Sequence, residues 1–257
     1  MEFIVVSLVA MLTSGLTLFS GFGLGTLLLP AFLIFFPAEL AVAMTAIVHF
    51  LNNLFKLALL GKHAHLKVVL RFGIPAVVAA FLGAGLLFYI SDFEPLLTYS
   101  LAGRSFSITT IKLVMALLIA AFAVFEILPA MQHLEFDQKY LPLGGVLSGF
   151  FGGLSGHQGA LRSAFLVRAG LSKESFLATG VVIACAIDLT RLGVYTQHLA
   201  FAGLRENVML LVAATLSAFA GAFAGTRLLR KVTMKSVQTI VALLLFVIAA
   251  LLALGLV

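Results

Sequence analysis

An all-α polytopic membrane protein made of two inverted repeats is the fold this sequence predicts, and three observations predict it. Hydrophobic residues make up 62% of the chain and charged residues 10%, where a soluble domain carries about 25% charged residues. Uncharged runs at Phe3–Ala38, Phe72–Ser91, Asn207–Thr226 and Ser236–Val257 match or exceed the roughly 20 apolar residues that cross a bilayer as a helix. The chain also repeats itself, with Gly21–His63 returning loosely as Gly153–His198. One fixed offset pairs Glu39 with Glu174, Asn53 with Asp188, Lys56 with Arg191 and His63 with His198. Further on, Ala80-Phe-Leu-Gly-Ala84 is answered by Ala218-Phe-Ala-Gly-Ala222. Two such halves with interrupted helices are the pattern of transporters whose site lies where the halves meet.

The first element, Phe3–Ala38, is far longer than one crossing needs. Gly21, Gly23 and Gly25, then Pro30 and Pro37, interrupt it, and glycine is poorly suited to a helix interior. Its counterpart, Leu141–Val167, is broken by Gly144, Gly145, Gly149, Gly152, Gly153, Gly156 and Gly159. Each segment is either one long broken crossing or a V that dips in and folds back. Full crossings are expected near 40–60, 70–90, 109–130, 174–197, 204–226 and 236–256. The polar stretch Gln132–Lys139 divides the chain into an N-terminal repeat, 1–131, a connecting loop, 132–140, and a C-terminal repeat, 141–257. Without a basic leader and a small-residue cleavage site, the first apolar run is expected to be retained.

Lysines and arginines choose between the two arrangements, because cytoplasmic loops are enriched in them. If both broken segments cross fully, Lys62, Lys67 and Arg71 fall opposite Arg227, Arg230, Lys231 and Lys235. If both are V-shaped, these clusters share a side with Lys139, Arg168 and Lys173, leaving Arg104, Lys112 and Arg205 opposite. The second arrangement has the cleaner bias. It makes each repeat a V plus three crossings, inverts the second repeat, and places both termini outside the cytoplasmic membrane. The net charge of +6 then reflects membrane orientation, and nucleic acid is not expected as a partner.

Non-helical backbone at membrane depth is tolerated where it is buried in protein or lines a watery cavity. A helix restarting after such a break presents unpaired N–H groups and a partial positive charge, which favour an anion. The alternative is that the glycines only allow close helix packing. His49, Asn52, Asn53 and Lys56, at i, i+3, i+4 and i+7, share one helix face. They read as oxyanion donors with Lys56 at the rim, or as a polar seam between helices. His49 can also carry a proton in the physiological range. Asp188 and Arg191 replace Asn53 and Lys56 in the second half and can pair directly, either on a cavity wall, with Asp188 as a second candidate proton carrier, or as a structural pair.

His157, Gln158, Arg162 and Ser163 extend the second glycine cluster. Arg162 has the fork geometry that grips an oxyanion, or it snorkels to the interface. Glu39 and Glu174 stand in first helical turns, where offsetting the helix dipole explains them. Candidate substrate-binding residues are therefore Gly21, Gly23, Gly25, His49, Asn52, Asn53, Gly156, His157, Gln158, Gly159, Arg162, Asp188 and Arg191. A single cysteine, Cys185, excludes a disulfide within the chain. No Gly-x-x-x-x-Gly-Lys-Ser/Thr loop, His-Glu-x-x-His motif or dense acidic cluster is present, so no cofactor, metal or enzymatic activity is expected.

The glycine-rich opening, Pro30, the Pro37-Ala-Glu-Leu-Ala-Val-Ala43 helix start and the later Gly153–Gly159 cluster resemble the sulfite exporter, or TauE/SafE, family across nearly the whole chain. The resemblance falls on Gly21, Gly23 and Gly25 and on Gly153, Gly156 and Gly159. It implies a secondary transporter of small sulfur-containing anions such as sulfite or organosulfonates, acting in the bacterial cytoplasmic membrane and working as an exporter. Alternating access would use a midplane site between the two repeats, with a proton as candidate coupling ion. The rival readings are an anion channel and a membrane thiol relay using Cys185.

Overall fold

In a computed structural model, residues 1–20, 24–128, 134–198, 201–228 and 234–257 are described. Gly21 and Gly23 lie outside them. The described residues form eleven α-helices: α1 (Glu2–Ser20), α2 (Leu24–Leu33), α3 (Ala38–Leu60), α4 (Leu66–Ser91), α5 (Thr110–Ile127), α6 (Leu141–Ser155), α7 (Gly159–Leu166), α8 (Lys173–His198), α9 (Phe201–Glu206), α10 (Val208–Leu228) and α11 (Met234–Ala253). Among them, three are long and apolar enough to cross a membrane: Ala38–Ala58 of α3, Leu66–Ser91 of α4 and Lys173–His198 of α8. The chain is an all-α membrane protein.

Local chemistry sets the helix ends. Pro37 stands at the N-cap of α3, where a missing N–H costs nothing, and Glu39 and Glu174 occupy the first turns of α3 and α8. The Thr109 hydroxyl caps α5 by accepting from the Lys112 N–H at 3.3 Å. The Thr179 hydroxyl of α8 accepts from the backbone N–H of His65 at 2.9 Å, so α4 starts against α8 rather than in free loop. α6 stops at Gly156, whose φ of 83° is left-handed and accessible to glycine without steric cost.

The helices of the two halves interlock. α4 packs along α6, and α1 along α10. α3 and α4 both pack on α8, α3 packs on α10 as well, and α5 packs on α11. Matching α1 with α6, α3 with α8, α4 with α10 and α5 with α11 maps this pattern onto itself. α4 and α6 meet backbone against backbone. A Cβ on Gly145, Gly149 or Gly153 would collide with the carbonyls of Phe72, Ala76 and Ala80, and one on Gly83 with the Phe150 carbonyl. Gly221, the sequence mate of Gly83, meets the Met11 carbonyl of α1 in the same way. Such backbone-to-backbone contact is how small residues hold membrane helices together.

Two elements depart from the expected layout. The crossing expected near 204–226 is split at Asn207, whose side-chain amide donates to the Gly203 carbonyl at 2.8 Å, into short α9 and longer α10. The stretch 91–110, expected only as polar loop, contains an antiparallel hairpin of β1 (Leu97–Leu101) and β2 (Arg104–Ile108). Its turn uses Ala102 at φ 50° and Gly103 at φ 78°, the pair of positive values that a tight hairpin requires. The Tyr99 hydroxyl donates to the Leu254 carbonyl at 2.5 Å, and Lys112 Nζ donates to the carbonyls of Ser107 and Gly255. These bonds tie the hairpin to the end of α11.

Candidate functional site

Gly25 near the start of α2 and Gly156 after α6 bring the two glycine clusters face to face. A Cβ on Gly25 would lie 3.2 Å from the Gly156 carbonyl oxygen. A Cβ on Gly156 would lie 2.8 Å from Arg191 Nη1, so this glycine is required by its neighbour as well as by its φ. The α6–α7 break therefore seats its backbone directly against the guanidinium of α8. Arg191 Nη1 donates to the Gly152 carbonyl at 3.2 Å, and the Tyr195 hydroxyl donates to the carbonyl of Gly153. Both carbonyls lie in the last turn of α6, and that of Gly152 also accepts from the Gly156 N–H at 3.0 Å.

Asp188 is the centre of the arrangement. It is fully buried, as is Arg191, and each of its carboxylate oxygens is addressed separately. Oδ1 accepts from the Gln158 side-chain amide at 3.0 Å and pairs with Arg191 Nη2 at 2.7 Å. Oδ2 accepts from His49 Nδ1 at 2.6 Å and from the Asn53 amide at 3.4 Å. The Asn53 amide nitrogen also lies 3.1 Å from His49 Nδ1. With its proton directed at the carboxylate, that ring nitrogen has no lone pair to offer, which leaves the oxygen as acceptor. Oδ1 is thus held by the second half of the chain and Oδ2 by the first. Arg162 Nη1 donates to the Gln158 side-chain oxygen at 3.0 Å, which fixes the amide so that its NH2 points at Asp188.

The expected face of α3 divides between two neighbours. His49 and Asn53 turn to α8, whereas the Asn52 carbonyl oxygen accepts from the Ser14 hydroxyl of α1 at 3.2 Å. Lys56 is 9% exposed, and its charge interacts with that of Arg162. Arg162 and Arg191 thus both stand beside the Asp188 carboxylate, Arg191 in direct contact and Arg162 through Gln158. His157 points elsewhere. It stacks on Phe122 of α5 with ring centroids 4.8 Å apart, and its Nδ1 lies 3.0 Å from the Ser155 hydroxyl. Gly159 opens α7.

The decisive comparison is with protein families. The model of the sulfite exporter TauE/SafE family matches residues 4–252. The chain belongs to this family. Neither the curated proteins nor the solved structures compared with the chain gave a match. As a TauE/SafE protein it is a multi-pass membrane protein of a transporter family named for sulfite export. Sequence reasoning overlooked several residues that shape this TauE/SafE site. Ser14, Ser148 and Tyr195 are buried polar residues, and Ser148 donates to the Gln158 carbonyl at 3.0 Å. Ser148 lies four residues after Gly144 and one before Gly149, a polar residue inside a glycine run, which was the available signal.

Proposed function

We propose that this chain is a secondary transporter that exports small sulfur-containing oxyanions, such as sulfite or organosulfonates, across the cytoplasmic membrane. The observation that carries the reading is a buried donor set drawn from both ends of the chain: His49, Asn53, Gln158 and Arg191 meet at one place. Donors of this kind, a guanidinium among them, match an oxyanion through charge-assisted hydrogen bonds. Family membership supplies the sulfur chemistry. The two repeats are inverted relative to each other, the exchange-symmetric helix packing being what supports this. Alternating access then operates by moving one set of helices past the other around a midplane site. His49 and Asp188, already in contact at 2.6 Å, are the candidate carriers of a coupled proton.

The test uses purified protein and a panel of sulfite, sulfate, taurine, sulfoacetate and chloride. A ligand that binds only the folded state stabilises it by about 2.7 kcal/mol at 100 times its dissociation constant. Sulfite or a sulfonate should raise the thermal midpoint selectively. Asn53→Leu, which removes a donor from the cluster, should retain the fold and lose that response. A full response in Asn53→Leu removes Asn53 from the site. No response of the wild-type protein to any sulfur anion counts against the substrate class.

A further inference from the structure

We propose that the Asp188 carboxylate is a tethered occupant of the anion site, and that a substrate oxyanion binds by displacing it. The proposal rests on the reading of this cluster as the anion site and goes beyond it by naming what fills the site beforehand. The argument begins with the donors. His49 Nδ1, Asn53 Nδ2, Gln158 Nε2 and Arg191 Nη2 all converge on one carboxylate, and all four side chains are at most 6% exposed. This is the donor set that an oxyanion requires, and a carboxylate of the protein itself already satisfies it. A second anion cannot share the same four donors with Asp188, because two negative charges held to one buried donor set repel strongly.

The geometry also restricts what can replace Asp188. Its two oxygens are served by different halves of the protein, Oδ2 by His49 and Asn53 of α3, and Oδ1 by Gln158 beside α7 and Arg191 of α8. A replacement must therefore offer two oxygens on one centre, spaced as in a carboxylate. Sulfite, sulfonates and carboxylates meet this condition. A halide is a single point and cannot engage both donor pairs. Selectivity for oxyanions over chloride then follows from the split donor set rather than from net charge.

Displacement breaks hydrogen bonds and an ion pair but no covalent bond. A side chain held on a short tether competes at an effective concentration of about a millimolar or more. The apparent affinity for the free anion is lowered by the fraction of time that Asp188 has vacated the donors. Asp188 thus sets the affinity without itself touching the bound anion.

The experiment measures sulfite binding to the purified full chain and to Asp188→Asn, with methanesulfonate and chloride alongside. The substitution keeps the side chain's shape and removes its charge. Sulfite and methanesulfonate should bind Asp188→Asn about tenfold or more tightly than wild type, because the competitor's cost disappears, and chloride should not gain in parallel. A correctly folded Asp188→Asn protein with equal or weaker sulfite affinity overturns the proposal.

A second measurement needs no substitution. Asp92 and Asp137, the other aspartates, are exposed. In wild-type protein with carbon-13 in its aspartate side-chain carboxyls, sulfite should therefore shift the infrared band of the single buried carboxylate. Sulfite binding with that band unmoved overturns the proposal even if Asp188→Asn does not fold. Sulfite and methanesulfonate that bind neither protein overturn the underlying anion-site reading, and this one with it.

Discussion

Arg191 is tied both to a carboxylate and to the backbone of α6. It is fully buried, pairs with Asp188, and donates to a carbonyl in the last turn of α6. Removing one member of a buried pair leaves the other charged and unpaired, at a cost of about 3–5 kcal/mol. Arg191→Met should lower the thermal midpoint in detergent markedly. Asp188→Leu combined with Arg191→Met should recover much of that loss, since paired apolar replacements of buried ion pairs are often near neutral. If the double variant is as unstable as the single one, the pair is not what sets this cost. His49 and Asn53 were legible from their i, i+4 spacing, and the Asp188–Arg191 pair from its spacing of three. The partner of Asn52 was not legible. A one-residue step on a helix turns the side chain by more than a quarter turn, and whether it meets α1 or α8 depends on which helix packs there.

At the scale of helices, the glycine stripe of α6 replaces side-chain packing by backbone contact with α4. Gly149→Ala puts a methyl group into the Ala76 carbonyl and should destabilise by about 1–3 kcal/mol, the usual range for overpacking. Gly85 on the same pair of elements is the control, since a Cβ added there would meet no atom within 4 Å. There Gly85→Ala should be neutral or stabilising by up to about 1 kcal/mol through helix propensity. Equal losses at both positions, followed by thermal unfolding, would show that the stripe is not a contact seam. The long helices were legible because lipid-crossing length leaves a strong uncharged signature. The hairpin was overlooked although Leu97-Thr-Tyr-Ser-Leu101 and Arg104-Ser-Phe-Ser-Ile108 alternate with a period of two. Its strands are short, and counting charge across 91–110 hid the alternation.

For the whole molecule, the orientation proposed from the distribution of basic residues has a direct test. Ser105 on the hairpin and Lys62 after α3 are both exposed, and the only native cysteine, Cys185, is buried. With the termini outside, a membrane-impermeant maleimide should label Ser105→Cys in intact cells. Lys62→Cys should react only after permeabilisation. The reverse pattern would invert the assignment. The packing of α1 on α10 and of α4 on α6 was not readable, because recurring residues relate stretches of sequence without saying which helices touch.

That crossing has a kinematic consequence. The carbonyls of Phe72, Ala76 and Ala80 leave no clearance over the glycines of α6, so α4 and α6 cannot shear past one another without a collision of main chains. A helix coded early in the chain is thus locked to one coded late, and the same holds where Gly221 meets α1. Any movement of this protein must therefore carry each such pair as one body.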